Sequence, residues 1–368
     1  MSSSTLLTGE ILLGLIVLAI LYYLSSRFRR FALVERLSKG RRGRKWLISL
    51  VPVAAMLIWG LFDLAAAFPA VINLAVIWML CDLLFAILRK FGAFRTAVLY
   101  LAGVTALLTT AVYLSVGYYN AKHVRRTDYV IQTGQELDED GDLRILMFAD
   151  SHLGSVLTAE RFASFRDKFA EEEPDLLVIV GDFVDDGTTF ADVQTACAML
   201  SELNPKYGKY YVFGNHDRGY FNGNDFTTSQ LIRELEANGV TVLQDEVEQL
   251  PGFALVGRED KSRMSRRSID KLLEQAEPDS YTIVLNHQPN DYAAEAAAGA
   301  DLVLSGHTHG GQMLPLGLIG LWSGANDREY GLERRGGTTF IVSSGIADWE
   351  IPYKTGAFSE YVVIDLVK

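Results

Sequence analysis

Residues 302–313 read LVLSGHTHGGQM, an apolar run that stops at a glycine before two histidines with one residue between them. The chain has six histidines in 368 residues. Four other apolar runs end in polar clusters: ADSH at 149–152, GDFVDD at 181–186, GNHD at 214–217 and NHQ at 286–288. Five histidines fall in these clusters, and His123 stands outside them as a solvated linker residue. Together the clusters offer Asp150, His152, Asp182, Asn215, His287, His307 and His309. Imidazole mixed with carboxylate and amide oxygen suits manganese, iron or zinc better than the all-oxygen shell of calcium. Seven ligands exceed what one ion takes, whereas two ions sharing one bridging carboxylate use them all.

Short β-branched runs alternate with helix-like stretches. LRILMFAD, DLLVIVGD and KYYVFGN are followed by ERFASFRDKFAEEE, ADVQTACAMLSEL and SQLIRELEANG, and YTIVLNH, DLVLSGH, TTFIVSSG and EYVVIDLV come later. Nearly continuous apolar strands imply burial on both faces, and the alternation predicts a layered α/β fold. Sites in such sheets lie beyond the carboxyl ends of strands, which brings clusters over 150 residues apart to one rim. In an extended stretch residues i and i+2 face the same side, so Asp150 and His152 are expected to reach one ion. By the same alternation His307 and His309 present one imidazole each to two ions about 3.5–4 Å apart. The flanking glycines let the backbone turn sharply there.

The blocks D-x-H, G-D-x-x-D, G-N-H-D, N-H and G-H-x-H-G-G, in this order, resemble the calcineurin-like metallophosphoesterases over roughly Leu143 to Lys368. The resemblance implies two mixed sheets flanked by helices, an αββα sandwich. It assigns Asp150, His152, Asp182 and His309 to one divalent ion and Asp182, Asn215, His287 and His307 to the other. A hydroxide bridging the two ions is implied as the nucleophile, attacking phosphorus in line with the leaving oxygen. His216 is implied to stabilise the transition state or protonate that oxygen, with Asp217 orienting it. Asp185 is expected to hydrogen-bond behind the ligands, and Asp186 to be a turn and cap residue.

The first third of the chain has a different composition. Residues 1–126 carry 15 Lys and Arg against 4 Asp and Glu, a net of +11, and the remainder carries 19 against 41, a net of −22. An acidic domain repels a phosphate backbone, so no nucleic-acid partner is expected. Cys81 and Cys197 lie one in each half and suggest neither a disulfide framework nor a thiolate metal site. Apolar runs at about 6–24, 46–68, 71–88 and 96–118 approach the roughly 20 residues needed to cross a bilayer. They predict a four-helix transmembrane region over 1–118, hinged near Phe68 and Pro69. Residues 119–142 read as a linker with a first edge strand, and 143–368 as the phosphoesterase domain. A helical anchor ahead of the domain resembles the membrane-bound bacterial members of the family.

Nine basic residues between Ser25 and Lys45, with Arg89, Lys90 and Arg95 in the second short loop, mark both loops as cytoplasmic. Lys122, Arg125 and Arg126 argue the other way, three against twelve, so the catalytic domain is expected outside the cytoplasm. Asp63 and Asp82 fall within predicted spans, where they either reach interfacial water or each other or serve a relay. The apolar GGQMLPLGLIGLW after His309 reads either as a wall for a lipid-linked phosphate or as a loop covered by the sheet. Lys261, Arg263, Arg266 and Arg267 form a basic patch that could bind phosphate or anionic headgroups, or remain a solvated face. SSGIADWEIPYKTG resembles the C-terminal loop of membrane-type members, which often has Arg where Lys354 stands. The reading is therefore a membrane-anchored dinuclear phosphoesterase acting on mono- or diesters of a lipid or cell-envelope substrate. Its alternatives are a cytoplasmic-facing pyrophosphohydrolase of a lipid-linked sugar nucleotide and a non-catalytic metal sensor.

Overall fold

The computed structural model describes residues 3–93, 100–137, 141–219 and 224–368, and divides the chain after Val116 into two units. In the first unit, helices run over Ser3–Phe28, Ala32–Ser38, Arg42–Phe62 and Leu64–Lys90, and a further helix, Leu101–Lys122, begins there. Three of them, Arg42–Phe62, Leu64–Lys90 and Leu101–Lys122, are long and apolar enough to cross a membrane. The first expected span falls within the 26-residue helix Ser3–Phe28, whose described apolar part is Gly14–Phe28. Arg95 and the predicted start of the fourth span at Thr96 lie outside the described residues.

The hinge between the second and third spans falls at Asp63, not at Phe68–Pro69. Asp63 leaves helical geometry (φ −150°, ψ 84°) and its side chain accepts a hydrogen bond from the Ala66 amide at 2.9 Å. A capped start is worth about 1 kcal/mol, and here it sets the boundary while Pro69 is carried inside the following helix. Asp82 is also satisfied locally: it pairs with Arg27 at 2.9 Å and accepts from the Tyr100 hydroxyl at 2.7 Å. The two aspartates therefore have separate partners.

The second unit, residues 117–368, is built on two six-stranded sheets. One runs β1 (Arg125–Gln132), β12 (Glu360–Val367), β2 (Leu143–Phe148), β3 (Leu176–Val180), β4 (Lys209–Val212), β5 (Val240–Leu243). The other runs β10 (Gly331–Arg335), β11 (Thr338–Val342), β9 (Leu302–Ser305), β8 (Tyr281–Leu285), β7 (Phe253–Gly257), β6 (Glu246–Leu250). Every residue of β3, β4, β8, β9 and β11 is buried, which explains the continuous apolar runs. Alternate residues divide between two cores. Ile145, Met147, Val178 and Leu304 meet between the sheets, whereas Leu146, Phe148, Leu177 and Ile179 pack beneath Phe162, Phe169 and Leu200 of the helical layer. β2, β3, β4 and β5 are parallel in series, as are β7, β8, β9 and β11. Two layers with parallel centres bring the carboxyl ends of β2, β3, β4, β8 and β9 to one rim.

Candidate metal centre

The loops leaving this rim do not continue the strands. Asp150, His152, Asp182, His307 and His309 all adopt left-handed backbone, with φ of 56°, 41°, 50°, 73° and 49°. Such positions cost about 1–3 kcal/mol each and persist only where the surroundings enforce them. The expectation that alternation in an extended stretch aims these side chains is therefore corrected: turned backbone aims them. Glycines allow the approach. A Cβ on Gly306 would lie 2.5 Å from Asp150 Oδ2, and one on Gly214 would overlap the Asp182 carboxylate.

Among the described residues three groups of side chains converge, one of them His152, Asp185 and His216. Asp150, His152 and His309 place ligand atoms within 4.8 Å of one another, and so do Asp182, His287 and His307. His307 and His309 thus fall in different groups. Asp182 lies between the two: its Oδ2 is 3.0 Å from His287 Nε2 and 3.9 Å from His152 Nε2. Ring centroids are 5.2 Å apart for both His152–His309 and His287–His307. His123 stays outside, exposed and stacked on Tyr119.

Histidine orientation is enforced from behind. Nδ1 of His287 is 2.8 Å from the Val180 carbonyl, Nδ1 of His309 is 3.3 Å from the Ala347 carbonyl, and Nδ1 of His152 is 3.1 Å from Asp185 Oδ2. A proton held on Nδ1 leaves the Nε2 lone pair as the ligand atom. Nε2 of His152 and Oδ1 of Asn215 are buried without a hydrogen-bond partner, and Nε2 of His287, also buried, faces only the Asp182 carboxylate. Orphaned buried acceptors facing one another cost free energy unless cations satisfy them, so the residues fit the two divalent ions that metallophosphoesterases bind.

Burial and opposite charge compete across the site. Burial raises the Asp150 carboxyl, opposed by His287. Burial also acts on Asp182, but His287 outweighs it and holds this carboxyl well below the usual range. Burial would neutralise His287, yet Asp182 keeps its pKa well above the ordinary value. His307 is pushed down to about 4 by burial and the charge of His287. His309 is pushed well down by burial, His152 and Lys354.

The expected pairing of His216 with Asp217 is corrected. His216 Nδ1 lies 2.9 Å from Asp185 Oδ1, so Asp185 holds His152 and His216 with its two oxygens. Asp217 instead accepts from the backbone amides of Asp182 (2.8 Å), Val184 (3.0 Å) and Gly214 (2.6 Å) and ties two rim loops together. Adjacent residues in a turn diverge, which is why chain proximity misleads there. Lys354 is fully buried and donates to the carbonyls of Ser344 (2.7 Å) and Ala347 (3.1 Å), so it does not face the rim. Trp349, whose ring is 5.5 Å from that of His216, was not singled out in the sequence; its only signal was an aromatic in a loop rich in small and polar residues.

The family model for calcineurin-like phosphoesterases matches residues 143–311. A metallophosphoesterase of Helicobacter pylori is 33% identical over 234 residues, covering 62% of this chain and 60% of its own length, so the chain spans less than two thirds of that relative. A metallophosphoesterase of Aquifex aeolicus is 31% identical over 250 residues, 66% of this chain and 92% of that one. A transmembrane protein with a metallophosphoesterase domain from Bos taurus is 30% identical over 287 residues, 72% of this chain and 62% of that one. With its rim blocks, its two sheets and a relative matched along nearly its whole length, the chain belongs to the calcineurin-like metallophosphoesterases.

Proposed function

We propose that the protein is a membrane-anchored, metal-dependent phosphoesterase that hydrolyses mono- or diester bonds of a lipid or cell-envelope substrate. The observation that carries this reading is Asp182 standing between two His/Asp groups, 3.0 Å from the buried Nε2 of His287 and 3.9 Å from the unpartnered, buried Nε2 of His152. Asp150, His152, Asp182 and His309 would hold one divalent ion, and Asp182, Asn215, His287 and His307 the other. When bound, two such ions supply a hydroxide at neutral pH and offset charge on the phosphoryl oxygens. His216, anchored by Asp185, would give a proton to the leaving oxygen, a role worth about 10²–10⁴-fold. Asp217 acts indirectly, fixing the Asp182 loop through three amides.

The substrate reading rests on the surface after His309. Leu314, Ile319, Leu321 and Trp322 are exposed, Trp322 at 74%, and Trp349 beside His216 is exposed at 40%. This apolar stretch is not covered by the sheet, and it suits an acyl or polyprenyl chain better than a sugar or nucleotide. The basic loops at 25–45 and 89–95 support a domain on the far side of the membrane from them. Lys122, Arg125 and Arg126 favour the cytoplasmic alternative, and a C-terminal reporter fusion separates the two.

The test uses the full chain in non-ionic detergent, stripped with chelator and reloaded with manganese, iron or zinc. Turnover of an aryl phosphate mono- or diester that depends on the added ion is expected. Absence of turnover with all three ions overturns the hydrolase reading.

A further inference from the structure

The second unit concentrates positive charge in one short segment. Arg258, Lys261, Arg263, Arg266 and Arg267 are five of the 19 Lys and Arg that follow Arg126, in a stretch with 41 Asp and Glu. They lie between β7 and the helix Ile269–Leu273, on the same side of the fold as the end of β8 that carries Asn286. Arg258, Lys261, Arg266 and Arg267 line a pocket of about 340 Å³ with Asn290 and Asp291.

The interior of this pocket is built, not incidental. Arg258 is 2% exposed and forks to Glu295 Oε1 at 2.7 Å and Asp291 Oδ2 at 2.9 Å. Glu295 Oε1 also accepts from Asn286 Nδ2 at 2.8 Å, and Asn286 Oδ1 accepts from Arg266 Nη2 at 2.9 Å. Arg266 is thus positioned by a neutral amide, which fixes the guanidinium without neutralising it. Its Nε is buried and has no hydrogen-bond partner. Burial and the neighbouring Arg258 push its pKa down to about 10, against the opposing pull of Glu295, Asp291 and Asp260. Among the described residues, Lys261 and Arg267 make no side-chain hydrogen bond or ion pair. Glu295 and Asp291 together offset Arg258, and Asp260 acts on Arg266, so Lys261 and Arg267 are the lining cations left without a side-chain partner.

We infer that this pocket is an anion site, distinct from the candidate metal centre, that takes a phosphate monoester group. Arg266 supplies a planar donor held in place by Asn286, and Lys261 and Arg267 supply charge at the mouth. A dianion matches the two charges of Lys261 and Arg267 better than a carboxylate or a phosphodiester, each of which carries a single charge. The volume accommodates a phosphate and a few further atoms, whether the group is free or the headgroup of a lipid. The inference does not depend on hydrolysis at the metal centre.

The test is binding to the full chain in non-ionic detergent at low salt, with chelator present so that the metal centre contributes no ion. Two probes are titrated by calorimetry: inorganic phosphate, and dihexanoyl phosphatidic acid below its micelle concentration. Saturable binding of at least one probe is expected, weakened tenfold or more in the Lys261→Ala/Arg267→Ala variant, whose changes are at exposed positions. Binding of both probes identifies a site for the phosphate alone; binding of the lipid only identifies a headgroup site, and either result supports the inference. Two outcomes overturn it: no saturation by either probe in the wild type, or equal binding by wild type and variant. Binding that survives the double change and disappears in Asp182→Asn would place the phosphate at the metal centre and overturn it as well.

Discussion

The Asp185 carboxylate holds His216 through Oδ1 at 2.9 Å while its other oxygen holds His152 Nδ1 at 3.1 Å. One buried side chain therefore couples a proposed metal ligand to the proposed proton donor. Burial alone would raise the pKa of Asp185, but hydrogen bonds from the two histidines outweigh it and keep it ionised. Burial would lower the pKa of His216, but the contact with Asp185 and the charges of Asp182 and Asp217 together outweigh it and raise it.

Asp185→Asn should lower turnover of an aryl phosphoester by about 10–100-fold, the usual effect of losing a residue that orients a ligand. His216→Ala should lower kcat by about 10²–10⁴-fold with bound metal unchanged. Metal content by elemental analysis, measured beside kcat on each variant, checks both. Unchanged kcat in His216→Ala would remove it from the chemistry.

Ion stoichiometry tests the sharing of Asp182. Wild type is expected to retain two ions per chain after loading and desalting. His287→Ala should retain about one, because the Asp150–His152–His309 group keeps its three side chains. Asp182→Ala should lose most of both, and kcat should fall to background. Two retained ions in Asp182→Ala would show that this carboxylate is not shared.

Much of this arrangement was legible because β3, β4, β8, β9 and β11 are buried on both faces. Burial on both faces makes each strand a continuous apolar run, and the polar residues that follow mark where it ends. The grouping of His307 with Asp182 and of His309 with Asp150 and His152 is the one the family resemblance implied. What was not legible was local conformation. No propensity announces that Asp150 and Asp182 sit at φ of 56° and 50°, since tertiary contacts impose it. The partner of His216 could not be read either: Asp217 is its neighbour in the chain, while Asp185, 31 positions away, is its neighbour in space. In the helical unit the visible proline drew the hinge to Pro69, and the less conspicuous cap at Asp63 set it.

Lys354 should matter for stability and for the seating of His309, without touching substrate. Its ammonium is 3.4 Å from Asp348 Oδ1, and it shares the Ala347 carbonyl with Nδ1 of His309. Burial pushes the lysine pKa down and the Asp348 carboxyl up, so each depends on the other for compensation. Lys354→Met strands a buried carboxylate, a loss of about 3–5 kcal/mol when one partner of such a pair is removed. Thermal unfolding should shift downward markedly, and Lys354→Met/Asp348→Asn should recover most of the shift. A double variant no more stable than the single one would mean that the lysine acts through its carbonyl contacts alone.

The apolar surface after His309 separates a lipid substrate from a soluble one. Ile319 and Trp322 are exposed at 53% and 74%, so replacing them removes no packing from the core. If they seat an acyl chain, burying such side chains is worth about 1.5–3 kcal/mol each relative to exposure. Ile319→Ser/Trp322→Ser should then leave kcat/KM for a soluble aryl phosphodiester within about twofold. The same variant should lose roughly tenfold or more in kcat/KM on a phosphoester carrying a long acyl chain, the factor that 1.4 kcal/mol represents. Parallel assays on the two substrates, in detergent at fixed concentration, read the difference directly. Equal losses on both would mean that these residues shape the site and do not recognise a chain. No loss on either would send the search for the substrate away from this loop and toward the smaller, polar phosphoesters that the metal centre alone can hold.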